Sequence, residues 1–204
     1  KHGSGAKSPF AVMPAWSVLI EISSQEPERA HGLLDRILTL GAAQNTIVNG
    51  VVASSLMQAK DLWRLREDIS SAQKPEGGSI KHDISVPVSA ITSFIGRANA
   101  LIATLCPGAR PVPFGHFGDG NVHYNISQPL GADGRTFLDR WDEITHAVHA
   151  LVCELGGSIS AEHGIGRMKR DELAVVKDSV DLALMRAIKS VYDPNGILNP
   201  GKVL

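Results

Sequence analysis

The chain has 204 residues with 43% apolar and 20% charged side chains, the composition of an ordinary folded domain rather than a disordered or collagen-like chain. Lys and Arg total 20 against 21 Asp and Glu, a formal net charge of −1, and aromatic residues make up 5%. That balance argues against a nucleic-acid binder, which carries a basic surplus or a stacking platform.

The opening KHGSGAKSPF is polar and Gly-rich, so residues 1–15 read as a flexible lead-in. Residues 16–22 (WSVLIEI) are apolar and rich in strand formers, and predict a strand. Leu33, Leu34, Ile37 and Leu38 recur at helical spacing, with Gly41 as the stop. Residues 46–53 predict a second strand, and 55–72 a helix carrying Arg66 and Ser70 one turn apart. A third strand is expected over 79–86, although it contains Lys81 and His82. Ile91, Phe94, Ile95, Ala98, Leu101, Ile102 and Leu105 mark an amphipathic helix, closed by Pro107 and Gly108.

Residues 112–117 and 121–127 predict two strands joined at Gly118–Asp119–Gly120, a hairpin signal. Leu138, Trp141, Ile144, Val148, Leu151, Val152 and Leu155 mark a long helix ending at Gly156 and Gly157. Residues 161–177 are Gly- and charge-rich and read as loop. A last helix carries Leu182, Met185, Ile188 and Tyr192, before a tail of turns. The expected fold is α+β: a mostly antiparallel sheet with helices packed on one face, ferredoxin-like in character. No apolar run appears long enough to span a membrane. Cys106 and Cys153 lack a metal or disulfide spacing and are expected to be buried free thiols, fitting a reducing, cytoplasmic setting.

Four groups of residues carry chemical potential. In GHFGDGNVHYN, His116 and His123 flank a glycine turn and are either a pair of divalent-metal ligands or two hydrogen-bonded surface histidines. In SAEHGIGRMKR, Glu162 and His163 are adjacent: a third ligand and a general base, or part of a solvated loop. Arg66, Ser70 and Lys81 suit a carboxylate clamp, or a solvated helix face and an edge-strand charge. The fourth, NGILNPGK, is a structured tail. His146 and His149 have metal-compatible spacing on a helix whose amphipathic pattern already accounts for them.

Taken together and in chain order, these motifs with LWRLREDIS (62–70) resemble the C-terminal substrate domain of the FAD-linked 2-hydroxyacid dehydrogenases and oxidases. Members of that group act on D-2-hydroxyglutarate, D-lactate or glycolate. The resemblance covers 16–204 and implies a divalent metal, zinc or manganese, on His116, His123 and Glu162. It implies His163 as the base, Arg66, Ser70, Lys81 and Asn121 at the substrate, and Asn199 near the flavin. The implied reaction converts a D-2-hydroxy acid to the 2-keto acid by hydride transfer to FAD. The implied partners are that acid, a flavin-binding domain or subunit and an electron acceptor. No nucleic acid is expected, and a homodimer is compatible with an open docking face.

The sequence departs from the family in one respect. It has no GxGxxG before a helix, so the FAD pyrophosphate loop is expected in a preceding domain, and this chain alone is expected to be inactive. Two other readings are a flavin-independent metal hydrolase using the same His-His-Glu set and a non-catalytic interaction domain.

Overall fold

Period-two alternation of side chains builds the sheet. In the computed structural model, which describes residues 7–204, β1 is Ser79–Ser85, β2 is Arg110–His116 and β3 is Asn121–Ser127. The sheet order is β1-β3-β2, with both outer strands antiparallel to β3. Ile80, His82 and Ile84 alternate with Lys81 and Asp83, so successive side chains fall on opposite faces. Their partners across the ladder are Ile126, Tyr124 and Val122 on the first face, and Asn125 and His123 on the second. Pro111 and Pro113 are tolerated because β2 is an edge strand.

The chain falls into two compact units, residues 1–75 and 76–204. In the second, α4 (Ile91–Leu105) connects β1 to β2, and α6 (Trp141–Glu154) follows the hairpin after the short α5 (Gly134–Leu138). Their apolar stripes supply Ile91, Phe94, Ala98 and Ile102 from α4, and Ile144, Val148 and Val152 from α6. These close over Ile80, Ile84, Val122, Tyr124 and Ile126 as one core on one face of the sheet. Tyr124 fits this core because its hydroxyl donates to Asn99 Oδ1 at 2.9 Å and its ring meets Phe94 edge-on. Beyond α6 the chain pairs Ser158 with Ser85, one antiparallel bridge on the outer edge of β1. The β-α-β-β-α order with that bridge is the split β-α-β arrangement, and the α+β expectation holds. The remaining helices are α7 (Arg170–Val176), inside the segment expected as loop, and α8 (Ser179–Tyr192).

The first unit, described from residue 7, contains α1 (Pro27–Ala43), α2 (Leu56–Glu67) and α3 (Ile69–Ala72). Ser55 caps α2 by accepting the Gln58 N–H. The expected single helix over 55–72 is interrupted at Asp68. Helix α1 runs past Gly41 to Ala43 and turns at Asn45, which has φ 55°. Gly41 serves packing instead: a Cβ there would lie 2.3 Å from Ile47 Cδ1.

The strands expected over 16–22 and 46–53 have no ladder partner among the described residues. Trp16, Val18 and Ile20 are 60%, 74% and 42% exposed. An apolar pattern reports what a segment would bury, whereas a strand also needs a neighbour for its N–H and C=O groups. Within this unit, Glu21 instead accepts the Trp63 indole N–H at 2.6 Å. The lead-in expected over 1–15 lies partly outside the described residues, at 1–6.

Two further expectations change. Residues 88–105 are long and apolar enough to cross a membrane by length and composition, yet Ile91, Phe94, Ala98 and Ile102 are the face that α4 buries in the core. Cys106 is buried and free as expected, whereas Cys153 is free but exposed, because it sits on the solvent side of α6.

Candidate functional site

The face of the sheet turned away from α4 and α6 carries the site. Period-two alternation puts Lys81 and Asp83 from β1, Asn121, His123 and Asn125 from β3, and Val112, Phe114 and His116 from β2 on this face. In register, Asp83 stands opposite His123, which stands opposite Phe114; Asn121 stands opposite His116. The hairpin holds this register through a tight turn. Asp119 accepts the Asn121 N–H at 3.0 Å, and Gly120 O accepts the Val86 N–H at 3.0 Å. Gly120 has φ 82°, and a Cβ there would lie 2.2 Å from the Val86 carbonyl oxygen, so glycine is required.

The loop after Ser158 brings Glu162 and His163 to the same face. It is anchored on β1 by the Ala161 N–H to Asp83 O at 3.3 Å. The Asp83 carboxylate, 4% exposed, accepts the N–H groups of Glu162 at 3.0 Å and His163 at 2.8 Å on one oxygen, Oδ2. Lys169, at the far end of the loop, donates from Nζ to Ile159 O at 2.6 Å and to Asp83 O at 3.4 Å. Burial works against a charge on Asp83. The His163 and Glu162 N–H groups, with the His163 ring and Lys169 nearby, outweigh it and hold this carboxyl below its ordinary range. Burial also lowers the Lys169 ammonium, opposed by Asp83 and Glu172.

Side chains converge accordingly. The Asn121 amide Nδ2 donates to Glu162 Oε1. His123 Nε2 lies 3.9 Å from Glu162 Oε2, and His123 Nδ1 lies 3.8 Å from Asp83 Oδ1. His163 Nδ1 is 3.8 Å from Asp83 Oδ2, and the His123 and His163 rings are 6.0 Å apart. His123 is largely enclosed, with Phe114 against its ring at 5.1 Å, while Glu162 and His163 open to solvent. One wall is thus fixed and apolar, and the opposite side admits a ligand.

Among the described residues one trio of donors converges closely enough for a divalent cation, and of the expected ligands it contains Glu162 alone. Asp83, Glu162 and His163 bring ligand atoms within 4.8 Å of one another, and Asp83 Oδ1 is buried with no hydrogen-bond partner. The 3.9 Å between His123 Nε2 and Glu162 Oε2 is about 0.5 Å longer than the spacing of two ligands bonded tetrahedrally at about 2.1 Å. Of the ligands expected from sequence, His123 and Glu162 are therefore neighbours. His116 is exposed on the same face, at the end of β2. Asp83 is the site residue that motif reading passed over. Its signal was present: two residues past Lys81 in a strand is the same face. Asn125, two past His123, follows by the same rule.

The other expected residues lie elsewhere. Lys81 is exposed on this face, opposite Asn125. Asn199 is in the C-terminal tail at φ 47° and lines an open surface depression with Gly166, Met185, Ile188, Leu198 and Lys202. The tail is tied to the site loop by the Val203 N–H to Gly166 O at 2.7 Å. Asp193 shapes it by accepting the Ile197 and Leu198 N–H groups. Arg66, half-buried in α2, and Ser70, exposed in α3, belong to the first unit.

Comparison with known proteins adds an independent line. The family model described as FAD linked oxidases, C-terminal domain, matches residues 2–203. The chain is 36% identical over 98% of its length to a D-2-hydroxyglutarate dehydrogenase of Xanthomonas citri pv. viticola, covering 42% of that protein. It is also 36% identical over 96% of its length to one of Stutzerimonas stutzeri, again covering 42%. The mitochondrial D-2-hydroxyglutarate dehydrogenase of Arabidopsis thaliana is 34% identical over the whole chain, with 35% of that protein covered. The chain therefore spans about two fifths of the length of the curated relatives it matches.

Proposed function

Because the chain belongs to the FAD linked oxidases, through their C-terminal domain, we propose that the protein oxidises a D-2-hydroxy acid to the 2-keto acid. The observation that carries this reading is the placement of Glu162 and His163 side by side at the open face, both N–H groups on Asp83 and His123 adjacent. The names of the relatives make D-2-hydroxyglutarate the first substrate to test.

In this reading His116, His123 and Glu162 hold a divalent cation, zinc or manganese, which when bound makes the substrate hydroxyl more acidic. A bound flavin supplies the hydride acceptor, with Asn199 as this chain's contact to its ring and the pyrophosphate held elsewhere. His163 accepts the hydroxyl proton at Nε2, since its Nδ1 is the nitrogen toward Asp83. Asn121 steadies Glu162 and borders the substrate. Lys81 binds a carboxylate, and Arg66 and Ser70 are assigned to the substrate from the sequence resemblance; a diacid such as 2-hydroxyglutarate needs two cations where a monoacid needs one.

The test is flavin reduction by D-2-hydroxyglutarate, D-lactate and glycolate in the full-length protein, with a dye as final acceptor. Metal content is measured in parallel. Oxidation of at least one acid is expected, with kcat falling roughly 10²-fold or more in His163→Asn. Near-normal turnover in that variant removes His163 from the reaction. Loss of zinc or manganese in His116→Ala supports the assigned ligands, and equal metal content in both proteins excludes His116.

A further inference from the structure

We propose that Asp83 is the positioning residue of this site: its buried carboxylate holds the Glu162–His163 pair with one oxygen and faces His123 with the other. The metal arm of the argument rests on the functional reading above; the geometric arm does not.

Three observations support the assignment. Oδ2 accepts two consecutive backbone N–H groups, Glu162 and His163, from a loop 79 and 80 residues away in sequence. Bonds from backbone N–H groups to a carboxylate are stronger than bonds between neutral groups. They fix the backbone at the two positions where the loop's ligand and base are expected, independently of the side chains placed there. Next, Oδ1 is buried with no hydrogen-bond partner, and His123 Nδ1 is 3.8 Å from it. At that distance the contact is electrostatic, not a hydrogen bond: the carboxylate oxygen sets negative charge beside Nδ1, across the ring from Nε2, which faces Glu162. Finally, Asp83 itself is anchored. It is 4% exposed in the middle of β1, paired in register with His123, and its own carbonyl receives the Ala161 N–H and the Lys169 ammonium. A group held this firmly positions others; solvent reaches it too little for it to meet the substrate directly.

The experiment compares wild type with Asp83→Asn, an isosteric change, in the full-length protein. It uses ¹⁵N spectra of the histidine rings, amide exchange at Glu162 and His163, and zinc titration. The wild type should show slow exchange at both amides. Asp83→Asn should shift the His123 ring nitrogens, speed both amides, and weaken zinc binding by roughly 10- to 100-fold. Fast exchange at the Glu162 and His163 amides in the wild type overturns the proposal, even if the variant fails to fold. Unchanged ring nitrogens and amide exchange in a folded variant overturn it as well. Absence of zinc binding in the wild type counts against the metal reading alone, and the ring and amide measurements then decide on Asp83.

Discussion

His82 and His149 meet edge to face, ring centroids 5.5 Å apart, in the core beneath the strand that carries Asp83. Each is 1% exposed, and each Nδ1 is engaged: His82 with Tyr124 O at 2.7 Å, His149 with Glu172 Oε1 at 2.7 Å. Burial pushes His82 down from 6.5 to about 4, against the raising effect of the Tyr124 carbonyl, with His149 and Lys169 adding to the fall. Burial lowers His149 too, opposed by Glu172.

The sign of the linkage follows. Between about pH 4 and 6.5 the unfolded chain binds a proton at position 82 that the folded protein refuses, so stability falls as pH drops through that window. From about pH 7.5 to about pH 5 the loss from His82 is roughly 2 kcal/mol. Urea unfolding of wild type and His82→Gln across that range should give curves that converge toward acid. Parallel curves would show that His82 is not buried neutral.

Gly120→Ala should destabilise the protein by roughly 2 kcal/mol or more, since the backbone there has φ 82° and the new Cβ would press on the Val86 carbonyl. Gly118→Ala, with open space at its Cβ, should cost far less. Equal effects in denaturant unfolding would mean that the turn rearranges.

Asn121 donates to Glu162, so the two directions of change at this position should separate. Asn121→Ala removes a donor; Asn121→Asp sets a second carboxylate against the first. With a chelator present to strip metal, the Asp variant should be the less stable of the two by about 1 kcal/mol. An Asp variant as stable as the Ala variant would place the Glu162 carboxylate away from residue 121.

Asp193 holds the tail by accepting the Ile197 and Leu198 N–H groups and the Lys189 ammonium. Asp193→Ala should raise amide exchange at Ile197 and Leu198 by roughly tenfold or more while leaving β1 and β3 protected. Uniform change across the chain would signal global destabilisation instead.

Much of the second unit is readable from the chain. The apolar alternation of β1 and β3, the Asp-Gly turn between β2 and β3, and the stripes of α4 and α6 each act locally, and the structure reproduces them. The same period of two already places Lys81 with Asp83 on one face of β1, and Asn121 with His123 on one face of β3, because side-chain parity is a property of any strand; the ladder joins those faces. The segments 16–22 and 46–53 fail for the complementary reason. Their composition is that of strands, but a ladder is made between segments, and no local pattern specifies the partner. Asp83 lies at the boundary between the two kinds of information. Parity gives its face, yet nothing in KHDIS announces that its carboxylate will accept N–H groups from Glu162 and His163. That contact forms because the chain returns at Ser158 to pair with Ser85, which lays the Gly-rich loop across β1. Hydrogen bonds spanning some eighty residues depend on the closed fold, and the fold settles which carboxylate stands behind the two histidines.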